Sequence, residues 1–110
     1  MGLLASPFNL NGKADGSTEL PTAFALSRSV PNPLATGNRG LIKYALPKAE
    51  HVTIDVFDVR GRHVTTLVDR DQQAGWYHVE LEPADFAAGI YFYRMNAGGF
   101  SKQQKMTVVH

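Results

Sequence analysis

The chain has 110 residues, the size of a single domain, and 44% of them are apolar. Its 11 basic and 10 acidic residues are interleaved and leave a net charge of +1, which excludes the strongly basic field of a nucleic-acid-binding protein. Cysteine is absent, which excludes disulfides and thiol chemistry, and no apolar run is long enough for a transmembrane span.

The first 22 residues differ in composition from the rest of the chain. After Ala5 they are dominated by Gly, Asn, Ser, Asp and Pro and show no hydrophobic period. Such a composition is typical of a linker or a disordered segment. We therefore expect an N-terminal linker over residues 1–22 and one folded domain over residues 23–110.

The first strand is expected to start at Phe24 and to stop at the Pro31-Asn32-Pro33 segment. Two prolines remove two backbone donors, so this segment must lie at a sheet edge or in a turn. The next stretch, Leu34 to Arg39, is expected to be a polar loop.

Three alternating runs follow, and they predict strands at Gly40–Leu46, His51–Phe57 and His63–Val68. The sequence DVRGR at residues 58–62 predicts a hairpin with a type I turn and a G1 bulge. An Asp bonds its own backbone two residues on, and Gly61 supplies the position with positive φ. Residues 69–74 are polar and are expected to form a loop.

Three more strands are predicted at Trp76–Leu81, Ile90–Asn96 and from about Phe100 to Val109. The Ile90–Asn96 run has apolar residues on both faces, which indicates a central strand. Gly98-Gly99 predicts a hairpin turn after it.

About seven short strands, punctuated by Gly, Pro and Asp, predict an all-β fold. We expect an antiparallel β-sandwich of the immunoglobulin-like or fibronectin type III-like kind. Gly89 followed by Tyr91 at a strand start is typical of a sandwich corner, where the ring covers the end of the core and the hydroxyl bonds the corner backbone. This interpretation gives Tyr91 a structural rather than a catalytic role.

Residues that carry chemistry do not form a recognisable site. His51 and His63 could face each other across a hairpin, but no histidine pair has the HxH or HxxxH spacing of a metal site. Glu80 and Glu82 are best explained as part of a solvated sheet face. We therefore expect no catalytic residue, no cofactor and no metal ion, and the chain is not expected to be an enzyme.

Four aromatic residues are candidates for an exposed surface: Trp76, Phe57, Phe92 and Phe100. A row of such rings on one face of the sandwich would stack on sugars. Alternatively, Trp76 and Phe92 pack across strands or under the N-terminal segment, which we favour because large exposed apolar groups are uncommon on soluble domains.

Four stretches of the chain have the order and spacing of a known family: FALSRSVPNP (24–33), LIKYALPKAEHVTIDVFDVRGRHVTTLV (41–68), AGWYHVELE (74–82) and FAAGIYFYRMNAGGFSKQQKMTVV (86–109). They resemble the carboxy-terminal sorting domains of proteins exported by the type IX secretion system, and the similar immunoglobulin-like domain of the flagellar hook-capping protein. The chain departs from that family at Leu34-Ala35, where members often have Phe-Asn, and at His110, where members often end on a basic residue.

The resemblance implies a non-catalytic module at the end of a larger secreted protein, where it acts as a sorting signal and a cell-surface attachment domain. An outer-membrane translocon would recognise it once the protein reaches the periplasm. In many members the domain is then removed and the cargo is joined to a surface lipopolysaccharide. The expected location is the cell surface or the extracellular space.

The resemblance also implies the partner-recognition residues, which are Pro31, Asn32, Pro33, Gly89, Tyr91, Lys102 and Lys105. For Pro31, Asn32 and Pro33 we expect a rigid bend of the first strand to be the larger part of their role. The two lysines would meet anionic groups on the translocon or on lipopolysaccharide, or they would protect an edge strand against aggregation. The final strand is expected to be exposed and able to add to a partner sheet.

Two other functions stay open at this point. One is a carbohydrate-binding or adhesive module, which requires Trp76 or Phe92 in an exposed planar row. The other is a structural spacer that assembles with copies of itself or with other domains. As an isolated domain, the chain is expected to be a monomer.

Overall fold

The computed structural model describes residues 19–110. The linker predicted over residues 1–22 lies, up to residue 18, outside the described residues. The described part contains a short 3₁₀ helix, Pro83–Asp85, and the following strands: β1 (Ala25–Leu26), β2 (Leu34–Ala35), β3 (Gly40–Leu46), β4 (Glu50–Asp58), β5 (His63–Gln72), β6 (Gly75–Leu81), β7 (Gly89–Ala97) and β8 (Phe100–Val109).

The strands form two sheets with the orders β1-β3-β6 and β2-β8-β7-β4-β5. Neighbouring strands are antiparallel except β2 and β8, which run parallel. Immunoglobulin domains divide their strands in the same way, with B and E in one sheet and C, F and G in the other. The predicted all-β sandwich is confirmed, and β7 is a central strand as expected.

The core lies between the two sheets and is built from alternate residues of each strand. Val52, Ile54 and Val56 of β4 are fully buried, as are Tyr93 and Met95 of β7. The rest of the core cluster comprises Leu26, Leu34, Ile42, Tyr44, Leu46, Val68, Leu81, Phe86, Tyr91, Ala97, Met106 and Val108. Each buried Val, Leu, Ile, Phe or Met side chain stabilises the fold by about 1.5–3 kcal/mol relative to an exposed position, so burial is the main source of stability.

The hairpin between β4 and β5 has the predicted turn. The Gly61 amide donates to the Asp58 carbonyl at 2.9 Å, and the Asp58 amide donates to the Arg62 carbonyl at 2.9 Å. Gly61 has a φ of 84°, and an Asp58 carboxylate oxygen accepts the Arg60 amide at 2.9 Å. This pattern is a type I turn followed by a G1 bulge.

Two predicted loops are partly wrong. Residues 69–74 were expected to be a loop, yet β5 runs on to Gln72, because His51 and Glu50 of β4 pair with Asp71 and Gln72. Within the expected loop Leu34 to Arg39, the first two residues form β2, which pairs with the end of β8. The described sandwich therefore has eight strands rather than about seven.

One side of the sandwich is closed by contacts between the segment around β1 and the second sheet. The Tyr93 hydroxyl donates to the Ser27 carbonyl at 2.7 Å, and the Gln104 side-chain amide donates to the Leu26 carbonyl at 3.0 Å. Phe24 stacks on Phe100 with ring centroids 5.2 Å apart. Burial raises the pKa of Tyr93 far above its ordinary value, so its hydroxyl remains a proton donor.

Replacing Tyr93 by Phe should lower the free energy of unfolding by about 1–2 kcal/mol, because the partly buried Ser27 carbonyl loses its donor. Urea denaturation monitored by circular dichroism measures this change. Tyr77→Phe is the matched control, since the Tyr77 hydroxyl donates to the Gln73 carbonyl at an exposed site that water can satisfy. Equal losses in the two variants would contradict a role for Tyr93 in joining the sheets.

Candidate partner-recognition surface

The Pro31-Asn32-Pro33 segment carries the chain from one sheet to the other. Before it, Val30 forms a bridge with Leu41 of β3, and after it, Leu34 of β2 pairs with Val108 of β8. Both peptide bonds preceding the two prolines are cis. The bend expected from the two prolines is therefore a crossing between sheets.

Asn32 covers part of the outer edge of β8. Its side-chain oxygen accepts the backbone amide of Thr107 at 3.2 Å, and this hydrogen bond takes the place of a ladder bond from a neighbouring strand. Sequence reasoning missed this contact, although an Asn between two prolines at a sheet edge is a residue type suited to it.

His110 closes the same end of the domain. One ring nitrogen lies 2.7 Å from the Phe86 carbonyl oxygen, and the other lies 2.6 Å from the Thr36 hydroxyl. The position at which the chain departs from the resembling family thus carries a residue that joins two loops to the end of β8. Its side-chain contacts were not predicted from the sequence.

The corner predicted at Gly89 and Tyr91 is confirmed. The Tyr91 hydroxyl donates to the Ala87 carbonyl at 2.7 Å, and its ring packs edge-on against Phe86 with centroids 5.4 Å apart. Gly89 pairs with Val108, so the corner lies beside the end of β8. Tyr91 is only 8% exposed, which leaves little of the side chain for a partner to touch.

The structure thus brings five of the predicted residues to one end of the domain. We call this surface the PNP end, and it comprises Pro31, Asn32, Pro33, Gly89, Tyr91 and residues 107–110. The three residues of the Pro31-Asn32-Pro33 segment are exposed, whereas the Tyr91 side chain is buried beneath the surface of the PNP end.

Lys102 and Lys105 lie outside the PNP end and on opposite faces of β8. Lys102 pairs with Met95, whose side chain faces the core, and Lys105 pairs with Phe92, whose side chain faces outward. Both lysines are exposed. A partner that reaches both of them must therefore approach β8 along its edge rather than over one face of the sheet.

The final strand is less accessible than the sequence predicts. β2 pairs with Val108 and Val109, and Asn32 bonds Thr107, so the last three residues of the strand are already covered. Because alternate residues of a strand direct their backbone groups to the same side, those of Ser101, Gln103 and Lys105 also point away from β7. These three residues mark the part of the β8 edge that no described strand pairs with.

The outer face of the five-stranded sheet carries a pair of half-buried aromatic rings. Phe57 and Phe92 are directly opposite each other on β4 and β7. The Arg94 guanidinium lies over the Phe57 ring, 4.9 Å from its centroid, and His63 packs edge-on against the same ring. The expectation that Phe92 packs across strands agrees with this arrangement.

Trp76 lies on the other sheet, so it cannot form a row with Phe92. It pairs with Ala45 of β3, is 53% exposed and donates its indole N–H to the Glu19 carbonyl at 3.1 Å. Trp76 and Phe92 therefore do not belong to one row of aromatic rings on a single face of the sandwich.

The histidine pairing considered from the sequence is wrong. His51 is opposite Asp71 and His63 is opposite Phe57, so the two imidazoles lie near opposite ends of the β4–β5 hairpin. His63 instead bonds Asp55, at 3.0 Å. Among residues 19–110, no group of three or more His, Asp or Glu side chains is arranged to hold a metal ion.

His51 lies between two carboxylates. One ring nitrogen is 2.6 Å from an Asp71 oxygen and the other is 2.7 Å from an Asp69 oxygen. The hydrogen bond to Asp71, followed by that to Asp69, raises the pKa of His51, because both bonds require the doubly protonated ring.

Glu80 and Glu82 have a structural partner that the sequence did not reveal. Arg39 contacts an oxygen of Glu80 at 3.1 Å and an oxygen of Glu82 at 3.4 Å. The two carboxylates therefore connect the loop before β3 to β6 and to the residue that follows β6. The side chains of Arg39, Glu80 and Glu82 are 68%, 59% and 44% exposed, in agreement with a solvated surface.

The sequence matches a family model described as the secretion system C-terminal sorting domain over residues 30–109. This match covers well over half of the chain, and the chain therefore belongs to the type IX secretion C-terminal sorting domain family. Such domains are secretion-sorting signals of secreted or cell-surface proteins, and the family is not a catalytic one. A sorting domain of this kind interacts with the secretion machinery.

No curated protein sequence matches the chain significantly. Within residues 19–110, no helix is long and apolar enough to cross a membrane. The matched region begins next to the Pro31-Asn32-Pro33 segment and ends at the last residue of β8, so it includes every residue predicted to recognise a partner.

The pKa of His51 should lie above 6.5, and Asp71→Asn should lower it. A raised folded-state pKa means that the stabilising contribution is fully present below the unfolded-state pKa. That contribution is then lost as the pH rises through the folded-state pKa. NMR titration of the imidazole resonances measures the value, with Asp85→Asn as a remote control. A His51 pKa at or below 6.5 would show that the two carboxylates do not hold the ring.

Proposed function

We propose that this domain directs a larger exported protein to the cell surface. In this proposal the protein first reaches the periplasm, and an outer-membrane translocon then binds the folded domain and delivers the protein to the cell surface. At the surface the domain has one of two fates. It is removed from the protein, or it is retained and attaches the protein to the cell. The observation that carries the proposal is the family match, which spans the whole of β8 and all of the PNP end except His110.

The translocon contact is assigned to the PNP end and the adjoining edge of β8. The exposed Pro31-Asn32-Pro33 segment has a fixed course because Val30 and Leu34 are tied to different sheets on either side of it. A partner can therefore bind it without ordering a flexible loop, which lowers the entropic cost of association. Gly89 and Tyr91 act by positioning this surface.

The lysines of β8 supply the charge in the proposed contact. Ser101, Gln103 and Lys105 present backbone groups along the open part of the edge, while Lys102 and Lys105 project from its two faces. A partner strand paired there would lie between the two ammonium groups and would be favoured if it carried acidic side chains. Anionic groups of lipopolysaccharide would be attracted to the two lysines in the same way.

The proposal includes no catalytic step, cofactor or metal for this domain. Its buried groups support packing, since the buried tyrosines bond backbone or side-chain oxygens. Residues 1–22 are proposed to be a linker from a preceding domain, and residues 23–110 the sorting and attachment domain.

A reporter that carries residues 19–110 at its carboxyl end should reach the cell surface of a host with this secretion machinery. The reporter also needs an ordinary signal for export to the periplasm. Surface labelling with an impermeant reagent measures the outcome, and the same fusion in a host without the outer-membrane translocon is the control. Retention of the reporter in the periplasm of the competent host would refute the proposed function.

Replacing Lys102 and Lys105 together by Ala should lower surface display of this reporter several-fold while leaving the melting temperature unchanged. The matched control is Lys43→Ala, an exposed lysine on the outer face of the other sheet. Edge-on binding predicts that each single substitution has a partial effect. Normal display of the double variant would show that the lysines only protect the edge.

A further inference from the structure

Among residues 19–110, the two sheets have four outer edges, formed by β1, β6, β2 with β8, and β5, and most of them are short, covered or guarded. The edge at β1 is short: β1 has two residues, and the segment after it is tied to β3, where Leu41 exchanges backbone hydrogen bonds with Val30 and the Ser27 amide donates to the Lys43 carbonyl at 2.8 Å. Beside β8, Asn32 and β2 cover one end of the strand, and exposed lysines flank the remainder. Lysine on an edge strand is a common protection against unwanted pairing.

The edge of β5 is guarded in a different way. Its pairing with β4 shifts register twice, between Ile54 and Asp55 and between Val56 and Phe57, so two bulges distort the strand. Its second half carries three charged residues in a row at positions 69–71. Bulges and charges both make an edge strand a poor template for another strand.

The edge of β6 is guarded less. Its one Asp, Glu, Lys or Arg residue is Glu80, which contacts Arg39, and at the start of the strand the Trp76 side chain bonds Glu19. β6 pairs with β3 in regular register from Gly75 to Leu81, with no bulge. The strand contains no proline, lysine or arginine. Among residues 19–110, no strand pairs with its other side.

The direction of the backbone groups of β6 follows from those of β3. The backbone N–H and C=O groups of Leu41 and Lys43 point toward β1. Those of the residues between and beside them, such as Ile42, therefore point toward β6. Ile42 is opposite Val79. Val79 therefore bonds β3, and its neighbours His78 and Glu80 direct their N–H and C=O groups toward the open edge.

We propose that β6 pairs antiparallel with β6 of a second copy of this chain, about a two-fold axis that passes through Val79. In this register His78 of each copy is opposite Glu80 of the other, and each such pair exchanges both backbone hydrogen bonds. The imidazole and the carboxylate of each pair lie on the same outer face, and the carboxylate keeps its contact with Arg39 of its own copy.

The inner side of the same register is apolar. Val79 is opposite Val79 of the second copy, and Tyr77 is opposite Leu81 of the second copy. Val79 and Tyr77 are partly buried and pack against the rim of the core, so pairing extends the core across the junction. Two-fold interfaces require a self-complementary patch, and this short alternating strand meets that requirement on both faces.

The pairing joins the two three-stranded sheets into one and leaves the PNP end free. β6 and β8 belong to opposite sides of the sandwich, since β1 lies next to β8 and β6 is at the far edge of the β1 sheet. The inference differs from the monomer expected from the sequence, and it is independent of the sorting function.

Disulfide trapping tests the register directly, because the chain has no cysteine of its own. Cα atoms of a non-hydrogen-bonded antiparallel pair lie about 4.5 Å apart, which suits a disulfide. Val79→Cys, a nearly isosteric change, should therefore give a covalent dimer under mild oxidation. Leu67→Cys, which places a thiol at a partly buried site on the guarded β5 edge, is the matched control and should stay monomeric.

A mixture of two variants tests the pairing of His78 with Glu80. His78→Cys and Glu80→Cys should cross-link with each other, and either variant alone should cross-link poorly, because identical positions are then offset along the strands. Lys43→Cys, one strand further from the edge, should not cross-link with either. Cross-linking of His78→Cys alone, or of Lys43→Cys, would overturn the proposed register.

Sedimentation equilibrium of the 110-residue chain tests the interface without cysteine. His78→Pro removes an edge N–H that does not bond β3, so the domain keeps its own ladder. It should weaken the dimer roughly tenfold or more, since two hydrogen bonds are lost per dimer. His78→Ala keeps the backbone groups and should dimerise nearly as well. A wild-type chain that stays monomeric up to millimolar concentration, or equal behaviour of the two variants, would overturn the inference.

Discussion

The structure depends on the first crossing of the chain between its two sheets, which connects β1 to β2. The segment from Phe24 to Ala35 begins against the three-stranded sheet and ends as a strand of the five-stranded sheet. Along the way, the Ser27 carbonyl accepts a hydrogen bond from Tyr93, and the Asn32 side chain accepts one from Thr107. The same segment therefore holds the sheets together on one side and shapes the surface next to the final strand.

This constraint explains how a small domain without disulfides can serve as a recognition signal. Its core is continuous from one sheet to the other, and the exposed Pro31-Asn32-Pro33 segment is held at both ends by strand pairing. A partner would then read a fixed backbone surface rather than a reactive group. Membership of a sorting-domain family agrees with such a role.

Local patterns predicted the long strands well and the short or polar ones badly. Gly40–Leu46 alternates cleanly, and its bounds were predicted correctly because one face is buried along its whole length. The polar end of β5 has no hydrophobic period, and it is a strand only because β4 continues beside it. β2 has two residues and depends on a partner more than 70 positions away, which no local signal contains. The contacts of Asn32 and His110 were missed for the same reason. Side chains alternate between the two faces of a strand, so the placement of Lys102 and Lys105 on opposite faces of β8 could have been predicted.

Hydrogen–deuterium exchange shows directly whether the secretion machinery binds the side of the domain on which this crossing lies. The amides of the domain would be compared with and without the purified outer-membrane translocon. New protection is expected at Ser101, Gln103 and Lys105 and in the segment around Asn32. Protection confined to β6 or to the outer face of the three-stranded sheet would contradict binding at the crossing.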